Sequence, residues 1–327
     1  MDFTLTDEQQ MLIDTGRQLF AEQCDGVLAR AAWEDPAVGV GLWDRHLFEW
    51  MELAGGDVID LVLFAESHGR AVAPGPFLSS ILARQVSDAV GIGPAEGAVT
   101  LAIAGSAGEW VPNEDVVKTH VTDAGIVSAI VVVSGSPAEP LVGVVDVGAC
   151  ELREVDQFDR LRRQFEVTVP ASTGVSVDPA ALVHGLERAT LIVASELIGV
   201  GRWCLDASVA YARERVQFGQ PIGAFQGLQW KLVDAALVLE TAAAMVAYAS
   251  MAVDADDPDR HRAVHAAKAE AGRAARRCVR DGLQVHGGIG YTWEHELPHR
   301  FRRAYAADAL FGPSGWHLDR LAGLLLD

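Results

Sequence analysis

Apolar residues recur at helical spacing toward both ends of the chain and switch to short strand-like runs between them. Thr6 followed by Gln9 makes a capping-box pattern ahead of Met11, Leu12, Leu19 and Phe20, which predicts an early helix. Further helical patterns cover 41–53 and 57–70, and another covers 77–90 after the Pro74-Gly75-Pro76 break. Near Gly97 the texture changes. VTLAIAG, VVKTHVT, IVSAIVVVSG, PLVGVVDVG and FEVTVP are short, rich in valine and isoleucine, and separated by Gly, Pro, Asp and Asn. They predict a small antiparallel β domain of about five or six strands.

Helix returns near Pro179. Leu186, Val193, Leu197, Val200, Cys204 and Tyr211 hold one stripe, which implies a helix roughly 45–50 Å long at ~1.5 Å per residue. A second long helix is predicted over 226–253. A third carries Val264, Ala267, Ala271, Ala274 and Cys278 on its inner face and stops at Gly287-Gly288. A last pair covers 297–310 and 314–326. The inner residues are small, so the helices pack closely, in a four-helix-type bundle. Gly199 and Gly201, inside the first long helix, fit the same close packing. The fold class is therefore mainly α with a small β domain. An N-terminal helical domain (1–96) precedes a middle antiparallel β domain (97–172) and a C-terminal helical bundle (173–327).

The 327 residues are 50% hydrophobic, enough for a substantial core, and carry a net charge of −19. So acidic a chain argues against nucleic acid as a partner. Arg273, Arg276, Arg277 and Arg280, and later Arg300, Arg302 and Arg303, form local basic clusters. At helical spacing they read as solvated or ion-paired faces. Cys24, Cys150, Cys204 and Cys278 lie far apart, without a CxxC, and read as reduced thiols of a cytoplasmic protein. The N-terminus lacks the pattern of a signal peptide. The most apolar window, AAAMVAYASMAV, is short of the ~20 residues of a membrane span, so no membrane is expected.

Three motifs bear on chemistry. HELPH, from His295 to His299, matches the zinc pattern HExxH, but Pro298 lies between the histidines. A proline there is expected to begin a helix, leaving His295 outside it, so no metal site is expected. HGGIGY, from His286 to Tyr291, has no strand before it and is not a Rossmann loop. Gly287 suits a helix C-cap, and the paired glycines also admit close approach of a pyrophosphate. Glu187, in GLERAT, reads either as a first-turn glutamate favoured by the helix dipole or as a catalytic base.

The segments FTLTDEQQML, AESHGRAVAPGPFL, RERVQFGQPIGAFQ and QVHGGIGYTWEHELPHRFRR, in this order, resemble the acyl-CoA dehydrogenase family over nearly the whole chain. The resemblance implies an FAD-dependent desaturation of a CoA thioester between Cα and Cβ. In it a glutamate takes the α proton while a hydride leaves Cβ for the flavin. It further implies that Arg215, Phe218, Gln226, Gln284, Val285, His286, Gly287 and Gly288 bind the ADP half of FAD across a subunit interface.

The departures are informative. Phe311 occupies the usual place of the base, and Glu187 matches the alternative place that some members use. The family's flavin-ring loop is not recognisable in AGSAGEWVP, and His120-Val121-Thr122 stands where the family has Trp-Ile-Thr. These features resemble the shortened subunit of actinobacterial heterotetramers, which pair two full-length with two shortened chains. Such a chain is expected to complete the FAD site of a full-length partner acting on an acyl-CoA, with a steroid side-chain thioester as a candidate. Two alternatives are a self-sufficient homo-oligomer with Glu187 as base and a non-catalytic interaction subunit that no longer binds flavin.

Overall fold

The computed structural model describes residues 4–93, 97–106, 108–170 and 173–326. In chain order it opens with α1 (Asp7–Gln23), α2 (Gly26–Glu34) and α3 (Ala37–Leu42), a π turn at Trp43–Leu47 and a 3-10 stretch at Phe48–Gly55. Helices α4 (Val58–Ala71) and α5 (Phe77–Ala89) come next. Seven strands follow: β1 (Val99–Ala102), β2 (Val117–Thr122), β3 (Ala129–Gly135), β4 (Pro140–Asp146), β5 (Glu151–Glu154), β6 (Gln164–Thr168) and β7 (Val175–Ser176). Helix α6 (Pro179–Glu214) leads to a hairpin of β8 (Val216–Gln217) and β9 (Gln220–Pro221). Helices α7 (Gln226–Asp254), α8 (Arg260–His286), α9 (Leu297–Ala309) and α10 (Ser314–Leu326) close the chain. The mainly helical class with a small β region is the one the patterning predicts.

The stretch 41–53 departs from the expected single helix. Phe48 N–H donates to Trp43 O, an i to i+5 bond. That spacing puts the rings of Trp43 and Phe48 together, 5.6 Å apart, and Trp43 also meets Phe77. Burying the Trp43 ring between Phe48 and Phe77 outweighs the regular helical ladder here.

Two compact units divide the chain. One comprises 28–57 and 74–192 and holds the β region. Its sheets have strand orders β1-β3-β4-β7 and β2-β6-β5. Ala102, Val121, Ile130, Val132, Phe165 and Val167 form their shared core. β6 alternates, with Phe165 and Val167 inward, as a half-exposed strand does. β3 is buried along Ala129–Val133 because α5 also packs against it, which explains its unbroken apolar run. The antiparallel expectation fails at one pair, since β1 and β3 run parallel. Between them the chain visits the other sheet as β2, and such a crossover returns a strand in the same direction.

The other unit comprises 1–27, 58–73 and 193–327. Thr6 and Gln9 cap α1 reciprocally, as the capping box requires. α1 packs on α4, α4 and α8 on α7, and α9 and α10 on α8. The amides of Val58 and Ile59, at the start of α4, donate to the carboxylate of Asp254 at the end of α7. α4 and α6 cross backbone to backbone: a Cβ on Gly69 would lie 2.1 Å from Glu196 O, and one on Gly199 would lie 1.9 Å from Glu66 O. Of the described helices, α7 is long and apolar enough to cross a membrane by length and composition, with mean hydropathy 1.7 over its most apolar window and 39% of that window buried. The apolar run therefore extends further than the twelve-residue window suggests.

Candidate functional site

α6 ends at Glu214, where Arg215 N–H still donates to Tyr211 O. The chain then doubles back through the β8–β9 hairpin, whose two turn residues are Phe218 and Gly219. Both have positive φ, 54° and 81°, the pattern of a type I′ turn. Phenylalanine is an unfavourable choice there, and Phe218 is also 94% exposed. A strained, fully exposed aromatic residue marks a surface shaped for contact. Arg215, Gln226 and Gln284 are exposed. Among the described residues the Arg215 side chain makes no hydrogen bond or ion pair.

The second half of the predicted cofactor set lies at the end of α8. His286 is buried; its Nδ1–H donates to Gly282 O at 2.8 Å. Its ring stacks on Tyr211 at 4.6 Å and meets His295 edge-on at 4.7 Å. Burial holds this imidazole below its usual pKa, hence neutral. Val285 is buried too, so Val285 and His286 offer a ligand only backbone. Gly287, with φ 60°, closes α8 by donating to Leu283 O, which is the C-cap role. A Cβ on Gly288 would meet nothing within 4 Å. The Tyr211–His286 stack joins the end of α6 to the end of α8, so Arg215 and residues 284–288 share one end of the helical unit. A free guanidinium, exposed amide side chains and open glycine backbone at one place fit the diphosphate of a dinucleotide.

Glu187 belongs to the β-containing unit and is 7% exposed. α6 begins at Pro179, so Glu187 sits in the third turn, beyond the reach of the helix dipole. The helix dipole therefore does not account for this glutamate. Phe311 is buried, with φ 58°, and precedes Gly312 at φ 102°. His317 Nε2–H donates to Phe311 O, and the buried Lys268 ammonium donates to Asp308 O and Gly312 O. At the predicted flavin-ring position, His120 has φ 56° and stacks on Trp110, and the β2–β6 register slips between Lys118 and Val121. In the AGSAGEWVP loop, Ala107 lies outside the described residues. α9 has its proline in the first turn, as expected. His295, outside it, contacts Trp203, while His299 contacts Trp293, so HExxH geometry is not formed.

The patterning missed one polar network. Arg300 and Arg303 are 2% and 0% exposed, so their cluster is not a solvated face. Arg303 donates to Glu196 at 3.0 Å, and His68 lies 3.4 Å from the same carboxylate. A basic cluster has the same sequence signature whether it faces water or a buried acid. Arg273, Arg276 and Arg277 do pair with acids, as expected.

Three long helices, α6, α7 and α8, two shorter ones, α9 and α10, and a small two-sheet β unit make up the architecture that follows the N-terminal helices. Residues 180–326 match the family model for the acyl-CoA dehydrogenase C-terminal domain. The chain is 32% identical over 320 residues to acyl-CoA dehydrogenase IpdE2 of Mycobacterium tuberculosis, covering 94% of each chain. Its fold superposes on a chain of the ChsE4-ChsE5 complex from Mycobacterium tuberculosis with a TM-score of 0.86, at 22% identity, covering 100% of this chain and 99% of that one. A Tcur3481-Tcur3483 steroid ACAD structure gives 0.85 at 22% identity, covering 99% of each. The chain belongs to the acyl-CoA dehydrogenase family, whose members are FAD-dependent oxidoreductases.

Proposed function

We propose that this chain is the nucleotide-holding subunit of a heteromeric acyl-CoA dehydrogenase. Arg215, Phe218, Gln226, Gln284 and the backbone at 285–288 hold the ADP half of an FAD whose ring lies in a full-length partner subunit. When bound, FAD supplies the hydride acceptor for α,β-desaturation of the CoA thioester. Arginine suits the diphosphate because its planar fork donates two bonds and keeps its charge. The observation that carries the reading is the end of the helical unit itself. Arg215 has no partner within the described chain, Phe218 is strained and exposed, and Trp230, Val233 and Leu237 are an exposed apolar row on the adjoining α7. Such a surface is built to be covered.

The named relatives support the finer reading by analogy: one is a complex of two different chains, and one is a steroid enzyme. We extend this to an acyl-CoA with a bulky, steroid-type acyl group. The test is expression with and without a full-length homologue. The chain alone should be colourless or inactive, and the pair should give a yellow complex with one FAD per heterodimer. A yellow, active homo-oligomer of this chain alone would refute the proposal. It would favour the second reading, in which Glu187 is the base; burial of that carboxylate inside a regular helix is the observation on its side.

A further inference from the structure

The helical unit contains a cleft of about 670 Å³ that the proposed function does not use. Small-molecule sites span roughly 300–1,000 Å³, so the cleft suits an organic ligand better than a bare ion. α1, α4 and α6 provide most of its walls, with Phe20, Arg70 and Trp203 among the lining residues.

Its deepest charged group is Arg300. The guanidinium lies 4.0 Å over the Trp203 ring and donates to Glu296 at 2.5 Å and to Arg70 O at 3.2 Å. Arg300 Nε is buried and has no hydrogen-bond partner. Burial pulls this guanidinium below its ordinary pKa, and an entering anion would offset that cost.

Arginines and carboxylates line the cleft in equal number, four of each, yet they are not equally placed. Side-chain exposure is 3% for Arg300 against 34% for Glu296. It is 26% for Arg202 against 60% for Glu240, and 35% for Arg70 against 61% for Asp206. In each of these pairs the arginine is the less exposed partner and the carboxylate is better screened by water and salt. Arg202 is balanced further by Glu66, at 22% exposure against its own 26%, so the positive interior lies around Arg300 and Arg70. Arg17, at the exposed mouth, adds a cation that makes no ion pair among the described residues. Cys24 does not oppose an anion, because burial pushes its thiol up to about 12 and keeps it neutral.

We propose that this cleft binds a small organic carboxylate with a flat apolar body. The carboxylate meets Arg300 and Arg17, and the body lies against Phe20 and the Trp203 side of α6. A single negative charge fits better than a phosphate dianion, because the lining charges already sum to zero. The cleft has no lining residue in common with the proposed nucleotide-holding end, although Trp203 meets His295, which in turn meets His286.

The test uses the full chain, in whatever assembly it purifies, titrated calorimetrically with 2-naphthoate and with neutral 2-naphthylmethanol. Naphthoate is expected to bind saturably, one per chain, at least about tenfold tighter than the alcohol. Ala21→Trp, on the exposed side of α1, should fill the cleft and abolish binding. Arg17→Ala should weaken it roughly three- to tenfold. Leu325→Ser, on the exposed face of α10, should change nothing, which separates the cleft from general apolar adsorption. Saturating FAD should not displace naphthoate. The proposal is overturned by equal binding of acid and alcohol, by binding that survives Ala21→Trp, by loss of binding in Leu325→Ser, by displacement with FAD, or by no saturation up to about 5 mM.

Discussion

Arg215 and Arg213 are two residues apart at the end of α6, both exposed, yet only Arg215 sits in the hairpin that includes Phe218. Residues two apart on a helix point about 200° from each other. A charge-assisted bond to phosphate contributes roughly 1.5–3 kcal/mol, about 10- to 150-fold in Kd. Under the proposed function, Arg215→Ala should weaken FAD retention by the complex by that factor, while Arg213→Ala should bind as wild type. FAD titration of the two apo complexes compares them directly, and equal behaviour would remove Arg215 from the site. Glu187 poses the opposite question. Loss of a general base typically costs 10²- to 10⁴-fold in rate. If the partner holds the base, Glu187→Gln should keep turnover within about tenfold of wild type. A thousandfold loss with FAD still bound would assign the base to this chain.

At the scale of elements, the α4–α6 crossing and the docking of α10 are the sharpest features. Gly199→Ala would put a methyl group 1.9 Å from Glu66 O, against backbone that has no rotamer with which to yield. Overpacking of this kind costs roughly 1–3 kcal/mol or more, a fall of several degrees in Tm. Gly323→Ala on α10 meets open space and should leave Tm unchanged or slightly raised. Differential scanning calorimetry separates these outcomes.

α10 is held by a pair of imidazoles whose Nδ1 atoms lie 2.8 Å apart. His317 Nε2–H donates to Phe311 O, so its Nδ1 must accept from His265 Nδ1–H. A further proton on His317 would set two N–H groups against each other. Burial lowers both pKa values, and the cations Arg320 and Lys268 and the imidazole of His261 add to the effect. The folded state therefore disfavours protons that the unfolded chain binds near its ordinary 6.5. Stability from this pair is complete above about that pH and declines as pH falls below it. Urea melts from pH 7.5 to 4.5 should show that decline, and His317→Gln should flatten it; identical slopes would contradict a neutral pair.

For the molecule as a whole, the net charge of −19 and the exposed apolar row on α7 pull in different directions. Strong like charge opposes self-association, whereas the apolar row needs a cover. A less acidic full-length partner satisfies both requirements, and homodimerisation satisfies only one. Leu237→Asp on that row should reduce yield of the co-expressed complex without lowering the helicity of this chain, as read by size-exclusion chromatography and circular dichroism. Unimpaired assembly would move the interface elsewhere.

Periodicity alone placed the long helices, because α6, α7 and α8 repeat their apolar positions over many turns and a few misfits do not obscure the pattern. Capping chemistry fixed the start of α1, and proline fixed the start of α9. The assignment of residues 215, 218, 226 and 284–288 to a nucleotide site rests on the family resemblance, which glycine turns, arginine and glutamine in a fixed order carry. Tertiary structure decided the rest. It split 41–53 into π and 3-10 turns, since burial of Trp43 against Phe48 and Phe77 is a contact between segments. It made β1 and β3 parallel, since strand direction depends on the path between strands and not on their composition. It buried His286 by stacking it on Tyr211 from another helix, and it decided that Arg300 and Arg303, open in the sequence between solvated and ion-paired faces, are buried and paired with Glu296 and Glu196. Local spacing records which face a residue occupies along its own helix; whether that face meets water, an aromatic ring or a carboxylate is set by a chain segment far away in sequence.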